Sequence, residues 1–456
     1  MPKPTTDELR AVIQGSVTTP DDPGYDEARA VYNAMIDRRP AAVVGAAGSA
    51  DVAAAVTFAR EADLPVAIRG GGHSVPGFGT IDDGVVIDLS GLRTVAVDPA
   101  ARVAHAEGGA TWGDFNAATH EHSLATTGGI ISTTGVSGLT LGGGIGYLTR
   151  GHGLACDNLI GAEVVTADGA VVSVDADEHA DLLWALKGGS GNFGVVTRLD
   201  FQLHPLSEIY GGPMFFELEH AGDIFRWFRD FIVDAPEAFG GFPAFQIAPP
   251  LEFIPEERHG EPLVAFVACW AGPLDEGEAI VGKVKEVAPV VAEHVGRMPY
   301  PALNGAFDAL VPSGLQHYWK ANFVTELTDQ AIDAHVQHGP KVPVVNSTMH
   351  LYPINGAAQR VGPDEAAWGH RDATFAPVIA GMWPDPADND ANIAWVKDYY
   401  AATAPHSDAG GYVNFAAADD QDRVRENYGA NYDRLVAVKR QYDPDNVFRH
   451  NQNIRP

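Results

Sequence analysis

Cysteine is nearly missing from the 456 residues: only Cys156 and Cys269 occur. They allow at most one disulfide, and no CxxC clip for a metal or a redox pair. Positive charge is scarce as well. Against 60 Asp and Glu stand 30 Lys and Arg, a formal net charge of -30. Such a field repels phosphate backbones and anionic lipid, which argues against nucleic acid and membrane surfaces as partners. The same surplus of acids fits either a surface adapted to high salt or ordinary acidic solubility. No run approaches the roughly 18 apolar residues that span a bilayer, and residues 1–10 hold no apolar core of signal-peptide length. The expectation is a soluble, cytoplasmic protein, monomer or homodimer. Common catalytic signatures are absent too. No Lys precedes Ser or Thr, so there is no Walker A loop, and neither 69–74 nor 142–146 fits GxGxxG. Residues 135–139 lack the last glycine of a nucleophile elbow, and HExxH does not occur.

What the chain has is glycine, 50 residues of it. Residues 40–90 read as a β-α-β unit, with a strand at 40–44 and a helix capped by Ser49 whose apolar positions are Val52, Ala55, Val56 and Ala59. A second strand at 65–68 runs into Arg69-Gly-Gly-Gly-His-Ser74. Short strands follow at 85–89, 94–97 and 103–106, then a glycine-dense tract at 128–146 and a hairpin turning at Asp168-Gly169. From about 206 to 404 the texture changes. Amphipathic helices expected at 276–295, 328–338 and 389–403 alternate with strands at 263–270, 318–326, 349–352 and 375–382, a rhythm of α+β layers. Glycine and aromatics return after 410. Three glycine clusters, 70–72, 142–146 and 188–194, can each converge backbone N–H groups on an anion without Cβ obstruction. Together they point to a large phosphate-bearing ligand outside the standard Rossmann or P-loop sites.

These residues resemble a known family. Arg69-Gly-Gly-Gly-His-Ser74 is similar to the pyrophosphate loop and flavin-attaching histidine of FAD-linked oxidases of the vanillyl-alcohol oxidase, or PCMH-type, fold. The resemblance is narrowest to the berberine bridge enzyme-like branch, through the blocks 135–146, 153–159, 184–194, 411–415, 428–435, 443–448 and 451–454. It implies an α+β protein in which 1–205 and 405–456 form one FAD domain. Residues 206–404 would form a substrate domain of antiparallel sheet flanked by helices.

The resemblance also implies a cofactor, FAD, and where it lies. Arg69, Gly70, Gly71, Gly72 and Ser74 would hold the pyrophosphate. Thr133, Thr134, Gly135, Val136, Gly138, Gly142, Gly143 and Gly146 would follow the flavin, Gly194 and Val195 the adenine end, and Asn451 a tail position near the flavin. His73 would bond the flavin 8α carbon, for which its ring must be neutral. Relatives that attach FAD twice carry a cysteine in a Cys-Pro-Xaa-Val stretch, where this chain has Ile131-Ser-Thr-Thr134. A single attachment is therefore expected, with Cys156 a small buried thiol.

Tyr412 and Asn414 lie two apart in an expected strand and so share a face; the resemblance puts that face on the flavin and makes Tyr412 the substrate base. Tyr318 and Lys320 share a face in the same way, with His350 on a neighbouring strand, and Lys320 or His350 would assist Tyr412. The expected activity is that of an oxidase of a small alcohol, sugar or amine, with hydride passing to flavin N5 and O₂ reduced to H₂O₂. A dehydrogenase using another acceptor and a flavin-binding protein with little turnover are the alternatives.

Overall fold

The computed structural model describes residues 3–417 and 423–456. Its architecture is α+β, built on three main sheets. The first is four-stranded. In it Ala42–Gly45, Val85–Asp88 and Val66–Arg69 run parallel, as a β-α-β crossover demands, and Ser16–Thr18 adds an antiparallel edge. The crossover helix Ser49–Ala62 buries Val52, Ala55, Val56 and Ala59 against this sheet. Ser49 is its first residue and not its cap. The turn before it is held by Asp51, whose carboxylate accepts the N–H groups of Gln14, Gly15 and Ala47. The second sheet is five-stranded and antiparallel, with Val195–Gln202 between Val103–Glu107 and Leu159–Val165.

The third sheet spans residues 208–383 and has eight antiparallel strands. In its middle run Pro262–Trp270, Phe239–Ile247, Thr348–Pro353, Phe375–Trp383 and Gln316–Ala321 lie side by side. Side chains alternate between its faces. Val264, Phe266, Met349, Leu351 and Ile379 close onto the helices Ala221–Asp234, Asp329–His338 and Asn389–Thr403. Ala265, Val267, Tyr352, Val378, Ala380 and Met382 point the other way, toward Ile145, Tyr147 and Leu148 of the glycine tract.

Three expectations about elements fail. The long helix at 276–295 is a short helix Gly277–Val281, a 3-10 turn Gly282–Glu286 and a strand Val290–Glu293. Pro289 cannot supply a helical N–H, and the β-branched pair after it fits a sheet edge. The strand at 318–326 is Gln316–Ala321, followed only by an isolated bridge at Val324. Residues 413–415 form a 3-10 turn instead of a strand. The tail returns to the first part of the chain: Tyr428, Leu435, Val438 and Ile454 pack with Leu182, Trp184 and Phe193. Among the described residues no helix is long and apolar enough to cross a membrane, and both cysteines are free and buried.

Candidate active site

A cavity of about 350 Å³ runs between the glycine loops and the inner face of the large sheet. At one end the Val66–Arg69 strand delivers the 70–74 loop. Gly71 is forced by close approach, since a Cβ there would lie 2.4 Å from the Gly135 nitrogen, and Gly72 has a φ of +72°, in the left-handed region that favours glycine. Arg69 braces this loop, donating to the Asp88 carboxylate at 2.7 Å and to the Ala30 carbonyl at 3.0 Å. Its guanidinium is thus already paired. Ser74 accepts the Phe78 N–H through its hydroxyl.

His73 ends the loop inside the cavity wall. Its Nε2 lies 3.1 Å from the Thr133 hydroxyl and its Nδ1 3.4 Å from that of Thr134. The Tyr32 ring stacks on it at 3.7 Å. Burial lowers its pKa to about 4, so the imidazole is neutral near pH 7. Tyr32 carries no periodic signal in its segment and could not have been found from sequence.

At the other end the sheet register sets out rows of side chains. Gln246, Thr348, Ala380 and Trp319 stand opposite one another across four strands, and Ala244, His350, Val378 and Ala321 form the next row. Tyr352 follows His350 on the same face. His350 Nδ1 and the Tyr352 hydroxyl are 2.6 Å apart. Burial holds His350 down to about 3 and pushes the Tyr352 phenol up, so both are neutral. In the tautomer that carries its proton on Nε2, His350 accepts the Tyr352 O–H at Nδ1.

Lys320 does not join them. It pairs in register with Ile379, on the helix-facing side, and its Nζ lies 5.7 Å from the Tyr318 and Tyr400 ring centres. The residue between Tyr318 and Lys320, Trp319, is the one that lines the cavity. Tyr412 is also not where the sequence suggested. It is 1% exposed, and its hydroxyl accepts the Gly144 N–H at 2.7 Å and an Asn414 N–H at 2.9 Å. Burial pushes its pKa up, with the two donors opposing. The phenol locks the glycine tract and does not line the cavity, whereas Asn414 does.

The remaining expected contacts divide. Gly70, Gly71, Gly72, Ser74, Thr134, Gly135, Gly138, Gly194 and Asn451 line the cavity. Val136 and Val195 bury their side chains in the two cores of the first part of the chain. Gly142, Gly143 and Gly146 are pinned from behind, a Cβ at each meeting Asn414, Trp368 or the Gly128 carbonyl within 3 Å. Gly189-Ser-Gly191-Asn-Phe-Gly194 does spell GxGxxG, yet it follows a helix and precedes a strand, the reverse of a dinucleotide fold.

The lining fits FAD. At Gly138 and Gly191 an added Cβ would meet no protein atom within 4 Å, so these glycines leave space in the cavity itself. At the tail, Asn451 Oδ1 and both side-chain amide atoms of Gln452 are buried without a partner, as polar groups awaiting a polar ligand would be. Apolar walls with a few convergent polar groups suit a flat ring system with a polar tail.

Comparison with known proteins agrees. A family model for an FAD binding domain matches residues 40–175, and one described as berberine and berberine like matches residues 411–455. An uncharacterized FAD-linked oxidoreductase of Bacillus subtilis is 32% identical over 454 residues, covering 97% of each chain. The (R)-6-hydroxynicotine oxidase of Paenarthrobacter nicotinovorans is 30% identical over 469 residues, again 97% of each. Among solved structures, 6-hydroxy-D-nicotine oxidase from Arthrobacter nicotinovorans superposes with a TM-score of 0.86 at 28% identity, over 97% of this chain and 98% of that one.

Proposed function

The chain belongs to the berberine bridge enzyme-like family of FAD-linked oxidoreductases, and on that premise we propose that it is an oxidase of a small molecule bearing a C–H next to an alcohol or amine. When bound, FAD would supply the hydride acceptor and the electrons for reducing O₂ to H₂O₂. The observation that carries the reading is the one cavity joining neutral His73, on the glycine loop, to the neutral His350–Tyr352 pair on the facing sheet. Residues 1–205 with 405–456 serve the cofactor, and 206–404 serve the substrate.

His73 is the single attachment point. Its neutral ring is nucleophilic, and the Thr133 and Thr134 hydroxyls and the Tyr32 ring fix its orientation. Cys156 takes no part: it is fully buried, its thiol pushed well up by burial, beside Asp157. His350 and Tyr352, not Tyr412, manage the substrate proton. As the C–H bond breaks, the substrate hydroxyl becomes that of a protonated carbonyl, a far stronger acid than imidazolium. Its proton passes to the Tyr352 oxygen while the Tyr352 proton moves to His350 Nδ1, so a base with a pKa of about 3 suffices.

Anaerobic addition of substrate should bleach the flavin, and admitting air should restore it with one H₂O₂ per turnover. Peptide mapping should find the flavin on the peptide holding His73, and His73→Ala should release it on acid precipitation. Bleaching without reoxidation by air would make the protein a dehydrogenase; flavin on the Cys156 peptide would refute single attachment.

A further inference from the structure

A chain of hydroxyls reaches His73 from outside the glycine loop. Its first member, Tyr32, is tied to two other parts of the protein. The Tyr32 N–H donates to the Gly72 carbonyl at 3.2 Å, and the Tyr32 carbonyl accepts the Gly314 N–H at 3.2 Å. The ring stacks on His73, and the hydroxyl donates to the Val311 carbonyl. That direction is fixed, because a carbonyl only accepts. Burial pushes the Tyr32 phenol up to about 12, the Asp308 carboxylate adding to the push and a hydrogen bond from the Thr133 hydroxyl opposing it. The phenol therefore keeps its proton near pH 7. With that proton given to Val311, the Tyr32 oxygen is the acceptor toward Thr133. The Thr133 hydroxyl has a single hydrogen, and giving it to Tyr32 leaves only lone pairs toward His73 Nε2, 3.1 Å away. Nε2 must then be the ring nitrogen that carries the proton. The main chain points the same way: burial lowers the His73 pKa, and a bond from the ring to the Thr133 carbonyl opposes that lowering. The other nitrogen, Nδ1, has the Thr134 hydroxyl 3.4 Å away, too far for a strong bond. Thr134 lines the cavity, whereas Thr133 is exposed and does not.

We propose that Tyr32 is a positioning residue for flavin attachment: through Thr133 it holds the His73 proton on Nε2, so that the bond to the flavin forms at Nδ1. This rests on the single attachment through His73 proposed above. A neutral imidazole has one nitrogen free to form a bond, and the partner of the other nitrogen decides which. Attachment joins Nδ1 to the flavin 8α carbon. That carbon gives up one hydrogen as a proton, and Nε2 releases its own to solvent by way of the exposed Thr133 hydroxyl. The two electrons of the broken C–H bond stay on the flavin, and O₂ removes them with two protons as H₂O₂. Without the Tyr32 hydroxyl, Thr133 is free to donate to Nε2. The ring proton then moves to Nδ1 and takes away the lone pair on the cavity side.

The test uses the full chain. NMR of the flavin peptide released by proteolysis locates the bond: at Nδ1 the 8α protons lie beside the histidine β protons, at Nε2 beside the ring Hδ2. The wild type should show the Nδ1 bond alone. Tyr32→Phe keeps the stacked ring and removes the hydroxyl. When FAD is added to chain produced under riboflavin starvation, this variant should form Nδ1-linked flavin about tenfold more slowly or worse, the worth of one hydrogen bond. If Tyr32→Phe does not fold, Thr133→Val, which breaks the same chain one link later, decides in its place. An Nε2 bond in the wild type, or Nδ1 attachment at the wild-type rate in the variant, overturns the inference. A wild type with no covalent flavin sinks the attachment reading instead. The ring proton is then read from the nitrogen NMR shifts of His73, assigned by their loss in His73→Ala. A proton on Nδ1 overturns the inference there too, and one on Nε2 upholds the hydroxyl chain.

Discussion

The two faces of the large sheet are made by the same strands and do opposite work. On Thr348–Pro353, Met349 and Leu351 are wholly buried under helices, while Thr348, His350 and Tyr352 face the cavity. On Phe375–Trp383, Ile379 takes the first role and Val378, Ala380 and Met382 the second. The helix face is filled by large aromatics in contact. The cavity face carries neutral polar groups whose burial is offset by one another, as in the His350–Tyr352 hydrogen bond. Because side chains alternate with a period of two, one residue of phase separates core from chemistry.

The sharpest way to test that division is kinetic. His350→Ala should slow flavin reduction by about 10²–10⁴-fold with FAD content unchanged, while Lys320→Met, one strand-face away, should leave the reduction rate at the wild-type value. Stopped-flow reduction of both variants checks it; equal losses would erase the distinction between the faces.

The helix face should answer in stability instead. Phe266 is fully buried and packs edge to face with Phe228 at 5.7 Å. Phe266→Ala should cost about 3–5 kcal/mol by cavity formation, measured by denaturant unfolding. In the fraction still folded at low temperature, flavin reduction should proceed at the wild-type rate.

Much of this was legible in the sequence, but unevenly. The glycine loop, His73 and the tail blocks are local runs in which backbone approach dictates residue type, as the 2.4 Å clearance at Gly71 illustrates. The β-α-β unit was readable because Val52, Ala55, Val56 and Ala59 keep helical spacing. On the substrate face polarity points to Tyr318 and Lys320, whereas the register puts Trp319, the residue between them, on the cavity side. His350 lies on the cavity side of its strand, and a period of two from it reaches Tyr352. Nothing local could show that the Tyr412 hydroxyl is spent on Gly144, 268 residues earlier in the chain.

That contact yields a smaller expected effect. Tyr412→Phe removes the acceptor of a buried backbone N–H and of one Asn414 N–H, which should cost about 1–3 kcal/mol. On the proposal that His350 and Tyr352 manage the substrate proton, flavin reduction should fall far less than in His350→Ala. A Tyr412→Phe variant as slow as His350→Ala would return the base role to Tyr412.

The smallest effect concerns acid. Each side of the sheet holds a buried neutral histidine: His335 against Phe225 and Tyr399 on the helix side, and His317 beside Tyr32 on the cavity side. Burial lowers both to about 3, and lowers His204 to about 4. In the unfolded chain these rings take a proton near pH 6.5. Between the folded and unfolded values the unfolded state therefore binds more protons, so stability rises with pH. The contribution is fully present above about pH 6.5 and is lost progressively as pH falls toward 3–4. Each group adds at most about 1.4 kcal/mol per pH unit in that window. Carboxylates such as Asp51, where burial raises the pKa but three backbone N–H groups together hold it below the usual range, add their losses only below about pH 5. Unfolding midpoints in denaturant should thus drop from about pH 6.5 to about pH 5, before the carboxylates titrate. His335→Phe should flatten that slope by up to one proton's worth and lose only its bond to Tyr399. If its slope matches the wild type, His335 titrates normally in the folded state, and the helix face is wetter than its packing implies.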